Sequence, residues 1–377
     1  MTTYETLGVH PLINASATLT KLGGSLMSPE VLQAMTDAAG SFIDLHELQR
    51  RVGDRIAELT HNEAAYISSG AAAGLVLAAA ACITGNDQAL VQQFPKLGEL
   101  KSEIIVHKTH RNGYDYAVRQ IGAEIIEIGD PISGTTRADL ETAITERTAA
   151  VFWFQGAMTT PGDLPLGEVI EIANARNIPV VVDAAAQLPP VSNLWHFTQM
   201  GAALAIFSGG KDLRGPQSSG LVLGRRGLIE ACRLHGSPNQ HVGRPMKVGK
   251  EEMMGLLAAV ERYLELDHDA REQYCETTVQ MWCAALKEIP GLIATRSFPN
   301  EAGQPLPRCL LRIDGVQVGS DRDAIVQQLL QGDPAIAVAV DGEDGIQLNP
   351  MTLEVGEEKI VLERLLEIVR TGQPAEG

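Results

Sequence analysis

Between residues 102 and 224 the chain alternates short apolar runs with helix-like stretches, and this rhythm leaves few folds open. The runs 102–107, 123–128, 149–154, 178–182, 203–207 and 220–224 read as strands. The intervening stretches 112–120, 137–145, 167–175 and 192–200 read as helices. Apolar runs bounded by glycine and proline are typical of strands covered on both faces. Strands joined through helices pack as a parallel sheet with right-handed crossovers. The expected fold class is therefore α/β, a mostly parallel sheet with helices on both faces. Ligands in such sheets gather at the carboxyl ends of the strands.

A chain of 377 residues exceeds one average domain. We expect an N-terminal segment over 1–45 that packs with a small domain and lines the site, a large domain over 46–248, and a small C-terminal α+β domain over 249–377. With 45% hydrophobic and 20% charged residues, the composition is that of a folded enzyme. The longest apolar run, 71–83, is too short to cross a bilayer. The opening M-T-T-Y-E-T lacks the design of a signal peptide, which predicts a cytoplasmic protein with no membrane partner. Five scattered cysteines fit reduced core thiols, with neither a disulfide framework nor a metal site. A net charge of −17 repels phosphate backbones and argues against a nucleic-acid partner.

Within 203–224, A-L-A-I-F-S-G-G-K-D-L-R-G-P-Q-S-S-G-L-V-L-G, Lys211 stands between two buried strands. Ser208, Gly209 and Gly210 clear space on one side, and Gly215-Pro216 turns the chain on the other. The layout suits an amine that must reach an aldehyde and swing away; an exposed loop lysine is the alternative. Asp183 follows the apolar strand I-P-V-V-V, where an unpartnered carboxylate would be costly. It is either the N-cap of the next turn or the partner of a pyridinium N–H. Ser68-Ser69-Gly70 opens an alanine-rich helix, which is either a plain serine cap or an anion site. Together these residues predict pyridoxal 5′-phosphate, bound through a Schiff base on Lys211.

Other candidates carry weaker signals. His110, in V-H-K-T-H-R-N, is placed to stack on the cofactor ring or assist proton transfer; Arg111 is an alternative anion ligand and His107 a core residue. Arg244, Lys247 and Lys250 form a basic cluster that suits a substrate phosphate or a solvated loop. Arg312, on an apolar strand, is a candidate carboxylate clamp or a structural ion pair.

Four motifs carry a resemblance: I-N-A-S-A-T-L-T-K-L-G-G, S-S-G-A-A-A-G, V-V-D-A-A-A-Q-L-P-P and F-S-G-G-K-D-L-R-G-P-Q-S-S-G. From about residue 8 to its end the chain resembles the fold-type I pyridoxal phosphate enzymes. More narrowly it resembles the selenocysteine synthase (L-seryl-tRNA selenium transferase)-like family, and within it short relatives such as D-glucosaminate-6-phosphate ammonia-lyase. The resemblance implies that Lys211 holds the cofactor and Asp183 faces its ring nitrogen. It also implies that Ser69, Gly70 and Ala71 bind the phosphate with help from Ser208, and that Gln217 lies in the same loop. The expected function is a lyase acting by α,β-elimination on a small polar amino acid or amino-sugar acid, with or without a phosphate, to give a 2-keto acid and ammonia. A racemase, aldolase, selenium or sulfur transferase, or a non-catalytic homologue, is the alternative. The transferase carries an extra tRNA-binding domain, whereas the loop motif here begins near residue 12, so no tRNA substrate is expected. This fold usually builds its site between subunits, which predicts a homodimer or a higher even assembly.

Overall fold

The computed structural model describes residues 3–156 and 158–371. The alternating apolar runs assemble, among the described residues, into a seven-stranded sheet. Its strands are β1 (Ala64–Ser68), β2 (Glu103–His107), β3 (Glu124–Ile128), β4 (Thr148–Phe154), β5 (Val180–Asp183), β6 (Leu204–Ser208) and β7 (Gly220–Gly224). The side-by-side order is β1-β7-β6-β5-β4-β2-β3. From β3 to β6 neighbours run parallel, while β7 is antiparallel to both β6 and β1. The reversal follows from the connection. β6 reaches β7 through a short turn with no crossover helix, and such a link can only join antiparallel strands.

Each strand sends alternate side chains into two layers. Ala150, Phe152 and Phe154 pack with the helix Ala71–Thr84. Val151 and Trp153 pack on the other face with the helices Leu45–Leu59, Leu166–Ala175 and Lys250–Glu265. The alanine-rich helix lies close because its residues are small. A Cβ on Gly74 would come within 3.0 Å of Ile206 Cγ2 and 3.1 Å of Val222 Cγ2.

This unit spans residues 25–266, and residues 3–24 and 267–371 form a second one. The boundaries therefore fall elsewhere than at 45 and 248. The helix Lys250–Glu265, read as the start of the small domain, instead packs on Pro29–Ala39 and Leu45–Leu59 in the larger unit. Its apolar stripe, with Leu256, Val260 and Tyr263, belongs to the core beneath the sheet. In the second unit, Ala339–Asp341, Gly345–Leu348, Arg308–Ile313 and Leu292–Ser297 form an antiparallel sheet in that order. In the same unit Ala335–Ala337 pairs with Leu12–Asn14 in parallel, and Ala339–Asp341 joins the antiparallel sheet. Among the described residues no helix is long and apolar enough to cross a membrane.

Candidate active site

Strand register brings the motifs of Asp183, Lys211 and the Ser-Ser-Gly turn together. Asp183 is the last residue of β5, opposite Phe154 of β4 and Ile206 of β6. Ser208 of β6 and Ser68 of β1 both pair with Gly220 of β7, so the S-S-G turn and the lysine turn leave the sheet two strands apart. At the usual strand spacing that is roughly 10 Å. Gly220 lets them close up further. A Cβ there would stand 2.4 Å from the Gly70 carbonyl carbon and 2.7 Å from the Ala71 nitrogen.

The turn carrying Lys211 is tightly specified. Gly209 N–H donates to Ser219 O, Gly215 N–H to Gly209 O and Arg214 N–H to Lys211 O, at 2.8, 2.8 and 2.9 Å. Ser25 Oγ lies 2.7 Å from Lys211 O and 3.0 Å from Gly210 O. Arg214 Nε donates to Leu26 O at 2.7 Å. On the other side Tyr263 OH donates to Asp212 Oδ2 at 2.6 Å. Ser25, Asp212 and Tyr263 were not found by sequence reasoning. Tyr263 reads as one more member of an apolar helical stripe, and nothing in the local pattern announces its bond to Asp212.

Asp183 and Lys211 act on each other through charge. Burial pushes the Asp183 carboxyl above the usual carboxylate range, opposed by the Ala185 N–H, 3.0 Å from Oδ1, and by the Lys211 charge. Burial likewise holds the Lys211 amine below the usual lysine range, with Asp183 opposing. An amine kept toward its neutral form beside a buried acid is a nucleophile that can also move a proton.

The helix Ala71–Thr84 begins without a side-chain cap, and Gly70 enters it at φ +93°, where a side chain would be strained. Ser68 Oγ turns back to Gly70 O at 2.9 Å. Ser69, Gly70 and Ala71 are partly exposed, so their N–H groups present an uncapped helix start suited to an anion. Gln217 is exposed on the lysine turn.

His110 lies in a cluster of its own. It is fully buried, stacked on His107 at 4.8 Å and edge-on to Trp153 at 4.5 Å. Its Nε2 is 3.1 Å from Asp163 Oδ2, while Thr109 Oγ1 and Thr160 N–H donate to the same carboxylate. Burial holds both imidazoles toward the neutral form, and His107 is pushed down to about 4. His110 Nδ1 and both ring nitrogens of His107 are buried without a hydrogen-bond partner. Trp153 points into the layer opposite the one lined by the alanine-rich helix, and His107 and His110 go with it. Arg111 is engaged by Asp115 and Glu127.

The basic candidates separate. Lys250 donates to Ala38 O at 2.8 Å and pairs with Glu251, and Lys247 is exposed. Arg244 has a buried Nε with no hydrogen-bond partner. In the second unit the Arg312 guanidinium is held by Asp344 Oδ1 at 2.9 Å, by Asp341 O at 2.8 Å and by the Asp341 carboxylate.

Comparison with known proteins gives this geometry its family. Residues 12–291 match the family model of L-seryl-tRNA selenium transferase. A 5′-C-glycyluridine monooxygenase-decarboxylase of a Streptomyces species is 34% identical, covering 97% of this chain and 92% of that protein. A D-glucosaminate-6-phosphate ammonia lyase of Salmonella typhimurium is 33% identical over 97% of both chains. A solved D-glucosaminate-6-phosphate ammonia-lyase superposes with a TM-score of 0.85 at 32% identity, covering 99% of this chain and 100% of that one. At 18% identity a cysteine desulfurase of Escherichia coli shares the fold, with a TM-score of 0.58 over 96% and 94% of the two chains. The architecture is fold type I, and the chain belongs to the L-seryl-tRNA selenium transferase family.

Proposed function

We propose that the chain is a pyridoxal 5′-phosphate-dependent lyase. It removes a β-hydroxyl and then ammonia from a small polar amino acid or amino-sugar acid, leaving a 2-keto acid. The observation that carries this reading is the buried Asp183 carboxylate and the partly buried Lys211 amine acting on each other through charge at the carboxyl edge of the sheet, near an uncapped helix start. The residues fit the cofactor. The Lys211 amine would hold the cofactor through its aldehyde, and Asp183 would pair with its ring nitrogen. Ser69, Gly70, Ala71 and Ser208 hold its phosphate, with Gln217 in the same loop. When bound, the group supplies an electron sink for a carbanion at Cα. Lys211 takes the α-proton, water leaves from Cβ and re-enters at Cα as ammonia departs, so the net reaction is loss of ammonia. Arg244 takes an anionic group of the substrate, and His110, fully buried against His107, Trp153 and Asp163, is the weaker candidate for assisting proton transfer. Arg312, tied to two carboxylates, is the weaker clamp. The larger unit is the cofactor domain, and we place the enzyme in the cytoplasm as an even-numbered homo-oligomer.

The Streptomyces relative favours a second reading, decarboxylation at Cα with molecular oxygen. Both begin at the same carbon, and products separate them. With D-glucosaminate 6-phosphate and other β-hydroxy amino acids, release of ammonia and a 2-keto acid without oxygen uptake supports the lyase. Oxygen consumption with carbon dioxide release overturns it. Borohydride reduction and peptide mapping test the cofactor itself: a pyridoxyl mass on the Lys211 peptide is expected, and a label elsewhere ends the site assignment.

A further inference from the structure

The five cysteines are all free, yet two of them meet in the second unit. Cys283 lies on the helix His268–Leu286, whose buried stripe runs through Cys275, Val279, Trp282 and Leu286 at spacings of three and four. One residue on from Trp282, Cys283 sits at the border of that stripe and is partly exposed. Cys309 lies on the strand Arg308–Ile313 and is fully buried. The strand's register sets it between Arg296 and Leu348. Arg296 in turn bonds Glu276 at 2.9 Å, and Glu276 stands two helical turns before Cys283. The two sulfurs are 3.5 Å apart, although 26 residues separate them in sequence. A disulfide needs about 2.05 Å, so closing the pair asks for about 1.5 Å of movement.

We propose that Cys283 and Cys309 form a peroxide-responsive dithiol, in which a hydroperoxide oxidises Cys283 and Cys309 resolves the product into a disulfide. The partly exposed sulfur is the one an oxidant can reach, and the buried one lies beside it. Charge favours the same order. The hydrogen bond with Cys309 and the Arg296 charge hold the Cys283 thiol below the usual thiol range, against burial and Glu276. The same hydrogen bond, together with burial, pushes Cys309 up, so Cys309 keeps its proton. Burial pushes Cys82, by contrast, up to about 12. The thiolate is the nucleophile. The Cys283 thiolate attacks one peroxide oxygen, the O–O bond breaks, and the departing oxygen takes up a proton, which leaves a sulfenic acid. The Cys309 sulfur then attacks that sulfur. The S–S bond forms, the S–O bond breaks, and hydroxide leaves with the Cys309 proton as water. Both thiols are oxidised and one peroxide is reduced, with no other reactant.

The test uses the full-length folded chain, reduced and then treated with hydrogen peroxide at neutral pH. Iodoacetamide should then label two fewer thiols, and peptide mapping should join the Cys283 and Cys309 peptides. Dithiothreitol should restore both thiols. In Cys309→Ser the sulfenic acid has no resolving sulfur, so dimedone should tag Cys283 after peroxide. In Cys283→Ser no peroxide-dependent tag should appear on Cys309. Thiols that both stay open to alkylation, a bond that joins other cysteines, or one that forms only in urea overturns the proposal. A dimedone tag on Cys309 in Cys283→Ser overturns it too. The mapping of the unaltered chain needs no variant, so a variant that misfolds leaves the question answerable. It reads thiols and not turnover, so its result stands apart from the reading of Lys211.

Discussion

Burial biases Lys211 and Asp183 each toward its neutral form, and each partly corrects the other. Replacing Lys211 by arginine keeps the charge but removes an amine that can shed it, because guanidinium stays protonated. Turnover should fall by about 10²–10⁴-fold, the range a positioned proton-transfer group contributes, and the chain should no longer hold a reducible cofactor. Absorbance and steady-state rates check both. Asp183→Asn tests the other half. It removes the acid that opposes the fall in Lys211's pKa, so Lys211 should acylate at a lower pH than in the wild type, by peptide mapping of the cofactor-free chain. An unchanged profile would mean that the two do not communicate.

Among elements, the meeting of the helix Ala71–Thr84 with β7 is the most demanding. Gly220 faces backbone atoms of Gly70 and Ala71, which cannot rotate away as a side chain can. Gly220→Ala should therefore cost about 1–3 kcal/mol in urea unfolding and weaken cofactor retention together. A substitution that cost stability alone would show that the helix start is not where the phosphate binds. The run A-A-Y-I-S that leads into the Ser-Ser-Gly turn is β1, an edge strand outside the alternating stretch of 102–224. Edge strands normally show polar residues on the open side. Here the open edge is closed by side chains: Gln49 exchanges hydrogen bonds with both Ile67 backbone groups at 2.7 and 3.0 Å, and Arg233 reaches Ala65 O at 2.9 Å. Those partners lie far along the chain, so no local pattern announces the strand.

Across the whole molecule, acid stability follows from histidines buried in neutral form. Burial pushes His107 and His235 down to about 4, and Thr84 Oγ1 lies 2.8 Å from His235 Nε2. Their folded values lie below the unfolded value of about 6.5. The unfolded chain therefore takes up protons first as pH falls. Their contribution is complete above pH 6.5 and is lost as pH falls toward 4, at about 1.4 kcal/mol per unit per histidine. Urea unfolding between pH 7 and 4 should show this slope, and His235→Gln should flatten it. If the slope is the same in the variant, other groups carry the acid sensitivity.

What the sequence determined alone is whatever depends on short-range pattern. The uninterrupted apolar runs bounded by glycine and proline specified most strands of a mostly parallel sheet, and Lys211, Asp183 and the Ser-Ser-Gly turn were legible as unusual residues at strand ends. Tertiary structure decided the rest. It set the antiparallel course of β7, the membership of the helix Lys250–Glu265 in the larger unit, the separate burial of His110 with His107, Trp153 and Asp163, and the ion pairs that occupy Arg312 and Lys250. These are choices of partner between residues distant in sequence. A run of side chains encodes which surfaces must be covered, and packing the whole chain at crystal-like density selects what covers them.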